Sequence, residues 1–118
     1  MLIVILVALV ALEHLYIMIL EMFFWTSQRT LKLFGLEPSL AEKTKAMAAN
    51  QGLYNGFLSA GLAWSLLPAS ANYRFELQVF FLSCVIVAAI FGAFTIKPKI
   101  LILQGIPAMV ALALVLLA

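Results

Sequence analysis

The chain has 118 residues, of which 66% are hydrophobic and only 10% charged, with a formal net charge of +2. A soluble domain carries about 25% charged residues, so there is too little polar surface here to cover a water-soluble globule, and the bilayer must act as solvent. The small, dispersed positive charge excludes a nucleic-acid surface, and the length allows one domain at most.

The first apolar run extends from about Leu2 to Trp25. No lysine or arginine precedes it and no Ala-x-Ala site closes it, so it reads as an uncleaved transmembrane helix rather than a signal peptide. Crossing roughly 30 Å of hydrocarbon takes about 20 helical residues. Three further runs meet that need, at about 46–67, 75–96 and 100–117. Four segments are too few for a membrane barrel. The predicted fold is therefore all-α, an integral membrane bundle of four transmembrane helices forming one domain over residues 1–118.

The connections fit this plan. Thr26 to Lys45 holds most of the charge, with Gly35 and Pro38 as punctuation. Ser39 followed by Glu42 has the spacing of a capping box, which predicts that the second long helix begins near Leu40. Leu31, Leu33, Phe34 and Leu36 predict a segment lying along the membrane interface. Pro68 to Tyr73 forms the second connection, and Lys97-Pro98-Lys99 is a tight turn that makes the last two helices antiparallel neighbours. The first and third connections carry Arg29, Lys32, Lys43, Lys45, Lys97 and Lys99, against Arg74 alone at the second. The positive-inside rule then predicts both termini outside.

Ionisable groups within hydrocarbon cost about 2.5–3.5 kcal/mol each on insertion scales, so they mark the candidate site. Glu13 and His14 fall near the midplane of the first helix, and Glu21 lies two turns further on, close to the cytoplasmic boundary. His14 and Glu21, seven residues apart, share one face to within about 20°. The second long helix offers Asn50 and Tyr54 on one stripe and Gln51 and Asn55 on the next, with Gly52, Gly56 and Ala60 as a small-residue row for close helix approach. Gln104 lies ahead of Gly105 and Pro107, where a local kink is expected. The bland reading is that such amides and hydroxyls only hold helices together. It fits Asn50, Gln51, Tyr54 and Gln104 taken singly better than it fits Glu13 beside His14, and Glu21 stands between, since an interfacial carboxylate can reach water or pair with Arg29. The lone cysteine, Cys84, reads as a small apolar packing residue.

Three stretches resemble small bacterial membrane proteins catalogued as domain of unknown function 1304. They are LEHLYIMILEMFFW (Leu12 to Trp25), AANQGLYNGFLSAGL (Ala48 to Leu62) and QGIPA (Gln104 to Ala108). The resemblance covers the whole chain. It implies a four-helix protein of the bacterial inner membrane and brings no biochemical activity with it.

Two classes of function remain open, with a structural helper subunit as a third. The first is proton-linked binding or transport of a small lipophilic or cationic molecule. A carboxylate in helix one of a four-helix chain looks like the layout of small multidrug-resistance exporters, in size and placement only, and a homodimer would enclose more cavity than one chain. The second is a membrane enzyme using Glu13 and His14 for acid–base chemistry on a lipophilic substrate. One histidine and no thiolate cluster argue against a tight metal site, and no phosphate loop or nucleotide fingerprint calls for a cofactor.

Overall fold

The computed structural model describes all residues 1–118. It is all-helical, with no strand. In order come α1 (Leu2–Phe23), α2 (Gln28–Phe34), α3 (Pro38–Lys43), α4 (Lys45–Ser65), a 3-10 turn (Pro68–Tyr73), α5 (Arg74–Thr95), a π-helical stretch (Leu101–Gly105) and α6 (Ile106–Leu117). Two helical runs, α1 and Pro68–Thr95, are long and apolar enough to cross a membrane, while Leu101–Leu117 is apolar but shorter. The 21 residues of α4 include Lys45, Asn50, Gln51 and Asn55, which dilute its apolar character. The chain divides into two compact units, residues 1–13 with 58–118, and residues 14–57.

The first unit is assembled around small and branched apolar residues. Val7, Val10 and Ala11 of α1, Leu62 of α4, Leu82 and Val85 of α5, and Ala108, Ala111 and Val115 of α6 form its core. Along α5 the buried positions Leu82, Val85, Ala89 and Gly92 recur at steps of three, four and three. That spacing gives a seam for helices crossing at a shallow angle. Alanine and glycine at the contacts bring backbones close. A Cβ on Gly105 would lie 3.3 Å from the Cβ of Ala89, and one on Gly92 would lie 3.2 Å from Ile100. The amide of Ile106 bonds to the carbonyl of Leu101, five residues back. This π turn sits just ahead of Pro107, whose ring and missing N–H disturb the normal ladder, so the kink expected there takes the form of a widened turn.

The second unit contains the stretch between α1 and α4, which differs from the sequence expectation in detail. It is two short helices rather than one interfacial segment leading into α4. Ser27 caps α2, its hydroxyl accepting from the Thr30 amide, and Gly35 ends α2 at φ +65, the left-handed conformation that glycine adopts without strain. The expected capping box at Ser39 does not form. Glu37 stands at the N-cap of α3 without a side-chain bond, and Pro38 occupies the first turn, where its missing N–H costs nothing. Thr44 separates α3 from α4 and accepts a hydrogen bond from the Trp25 indole at 3.1 Å. Trp25 also packs on Phe34 with ring centroids 5.2 Å apart. Nε of Arg29 donates to the Tyr16 hydroxyl at 3.0 Å, which leaves Arg29 engaged away from Glu21.

Candidate functional site

Glycine creates the site. A Cβ on Gly52 would fall 2.8 Å from Met22 Cγ, 2.9 Å from Glu21 Cβ and 3.2 Å from the Met18 carbonyl oxygen, so α4 rests directly on α1 at this level. One turn on, a Cβ at Gly56 would meet Met18 Sδ at 2.6 Å. Larger residues at these positions would hold the helices apart. At this separation the short Glu21 side chain reaches two amides on α4 without crossing open space.

Gln51 Nε2 donates to Glu21 Oε2 at 3.0 Å, and Asn55 Nδ2 donates to Oε1 at 2.6 Å. The donors are four residues apart, one above the other on the helix, and flank the glycine row. Each carboxylate oxygen thus receives one amide hydrogen. Glu21 is 3% exposed. Both of its partners are neutral, so the cluster supplies hydrogen bonds and no compensating charge.

The remaining candidates are distributed differently. His14, on the Glu21 face of α1 and in the same unit, is 1% exposed. Asn50 and Tyr54 project outward from α4 rather than toward Glu21. Glu13 and Gln104, both partly buried, belong to the other unit. Of the expected small-residue row, Gly52 and Gly56 are packed against α1, whereas Ala60 is exposed. In the first unit Ser59 is the residue that meets α1, its hydroxyl donating to the Ala11 carbonyl at 2.7 Å. A shallow concavity lined by Met1, Leu2, Ile3, Leu114, Leu117 and Ala118 contains none of the candidate residues.

One polar group was not anticipated from the sequence. Arg74 donates through Nε to the Ser65 carbonyl at 2.7 Å and through Nη2 to the Leu67 carbonyl at 3.1 Å. It thereby closes the C-terminus of α4, where carbonyls lack helical partners. Gln78, buried on α5, donates to Ser65 Oγ at 3.4 Å, and Ser70 bonds to the carbonyls of Trp64 and Leu67. The recurrence of Ser70, Arg74 and Gln78 every four residues was the available signal.

Comparison with known proteins gives a family but no activity. A curated relative, the uncharacterized protein YpaA of Lactococcus lactis subsp. lactis (strain IL1403), is 36% identical over 111 residues, covering 92% of each chain. No solved structure matches the chain significantly. The family model described as protein of unknown function (DUF1304) matches residues 8–116, and the chain belongs to that family.

Proposed function

We propose that this is a four-span membrane protein whose Glu21–Gln51–Asn55 cluster binds a cation, either a proton or a small lipophilic cation, and so couples ligand binding to protonation. The membrane part rests on outward-facing apolar surface. Only 22% of the apolar window of α1 and 28% of that of Pro68–Thr95 is buried. Phe80, Val87, Phe91 and Phe94 all point away from the protein along α5. Soluble monomers rarely leave contiguous apolar surface on this scale. A bilayer gives it a solvent, and α4, less apolar than the others, crosses in their company. The cationic connections favour an orientation with both termini outside.

The observation that carries the site is a carboxylate removed from solvent whose partners are both neutral amides. A carboxylate that served only to join helices would do so better as an amide, because a neutral group avoids the cost of charge in hydrocarbon. Retaining an acid there makes sense where a positive species arrives and leaves. His14, seven residues before Glu21 on the same face of α1, is buried as well.

The test is equilibrium binding of a lipophilic quaternary cation to the full chain in vesicles. Glu21→Gln keeps the shape of the site, and the Gln51 and Asn55 amides can flip to present oxygen to the new NH2 group. We expect the wild type to bind and Glu21→Gln to lose binding at least tenfold, with Glu13→Gln less affected. Equal binding by wild type and Glu21→Gln would assign the cluster to helix packing.

A further inference from the structure

The Glu21 cluster is closed on some sides and open on one. Toward α4 the backbone seals it, since a Cβ on Gly52 would stand only 2.9 Å from Glu21 Cβ. One turn further along α4, Gly56 rests on Met18 in the same way. Asn55 is half-buried and holds Oε1 through the shorter bond, 2.6 Å against 3.0 Å for Gln51 at Oε2. Gln51 alone of the three lies exposed, while Glu21 itself is buried. The glutamine side chain also has one more rotatable bond than asparagine, so it can leave Oε2 and return with the backbone still.

We infer that Gln51 is the entry residue of the site: a ligand reaches Glu21 past it, taking the place of its amide at Oε2 while Asn55 keeps Oε1. The surroundings of Gln51 agree. Gly52 meets Met22 and Glu21, and Gly56 meets Met18, so α1 and α4 run antiparallel here. Phe24, three residues after Glu21, and Met47, four before Gln51, therefore stand at the same end of the helix pair. The Phe24 amide still bonds to the Leu20 carbonyl in helical fashion. At about 100° per residue, Phe24 and Met47 each lie within about 60° of their cluster neighbour around the helix axis. Phe24 is 52% and Met47 73% exposed. The way in is thus bordered by an aromatic ring and a thioether, with one amide at its centre, a mixture suited to an apolar ligand that carries a single charge. The displaced amide is not stranded. Helical side chains lean toward the N-terminus, and the charged start of α4 at Lys45 is about 9 Å away along the axis.

As the route of a cation this rests on the proposed function, and the experiment separates the two. Dicyclohexylcarbodiimide, an apolar reagent that adds to protonated carboxyl groups, is applied to the full chain in phosphatidylcholine vesicles. The adduct on Glu21 is timed by peptide mass. Gln51→Ala and Asn55→Ala each remove one amide bond to the same carboxylate, so changes in its ionisation affect both alike. The difference between them reports access. Gln51→Ala should react about tenfold faster than Asn55→Ala, the worth of one hydrogen bond to a charged group that no longer holds the entry shut. A cluster that only joins helices would loosen more on loss of the more buried amide. Equal rates, or a faster reaction of Asn55→Ala, would therefore overturn the inference. Should Asn55→Ala lose cooperative thermal unfolding, Asn55→Leu, which refills the space, gives the comparison in its place. In the wild type, tetraphenylphosphonium should slow the reaction at Glu21. No protection, with the difference between the variants intact, would instead remove the cation reading and leave Gln51 as the way in to a protonatable group.

Discussion

The two compact units solve the same problem, close helix packing, with opposite chemistry. Residues 1–13 and 58–118 pack alanine, valine and leucine at coiled-coil spacing. Apart from the Ser59 bond to the Ala11 carbonyl, their polar bonds between elements gather at the end of α4, where Arg74, Ser65, Ser70 and Gln78 meet. Residues 14–57 place glycine against methionine and use the separation so gained to seat a carboxylate between two amides. On the membrane reading proposed above, burying an apolar side chain against a helix gains little over burying it in lipid, so packing and hydrogen bonds decide stability. The first unit uses that rule to make a scaffold. The second accepts a chemical liability, an acid away from water, and that contrast is the reason to look for function there.

The sharpest way to break the comparison is at Gly52. A valine there would collide with Glu21 Cβ and the Met18 carbonyl, neither of which can move without the backbone. We expect a loss of about 3 kcal/mol, the upper end for overpacking, read by thermal unfolding in detergent, together with loss of cation binding. Gly56→Ala should cost about 1 kcal/mol, because it meets only the flexible end of Met18. A smaller loss at Gly52 than at Gly56 would contradict the packing described.

Arg74→Met tests the scaffold. It removes two charge-assisted bonds to the end of α4, and should lower stability by about 1–2 kcal/mol while leaving cation affinity intact. A change in affinity would mean that the two units do not divide scaffold from site. Ser59→Ala is the mildest. It deletes one bond to the Ala11 carbonyl and should cost about 0.6 kcal/mol, the average for a polar contact between membrane helices. A cost several times larger would show that polar bonds also govern the apolar unit.

The helical class was legible because each apolar run is too long and too uniform for a strand. The residues of the cluster were legible by type, since an acid and amides stand out in apolar surroundings. Their pairing was not. Asn50 and Gln51 are neighbours in sequence yet point about 100° apart on a helix, and only the packed glycines fix which of them turns toward Glu21. The α3 start was misread at Ser39 because Pro38, with its fixed φ and no donor, takes the first helical turn and moves the cap back to Glu37. The Arg74 group was not legible because it straddles a connection and a helix start, where no single helical period runs.

The central claim is that Glu21 exchanges a proton for a cationic ligand. It is tested most directly by the pH profile of cation-dependent thermal stabilisation in detergent, comparing wild type with Glu21→Gln. If proton and cation compete for one carboxylate, low pH keeps the proton on Glu21 and suppresses stabilisation by the cation. The effect should then grow as pH rises and level off once the acid has ionised. Glu21→Gln, with nothing to titrate at that position, should give a flat profile and little stabilisation at any pH. Superimposable profiles for the two proteins would contradict the account.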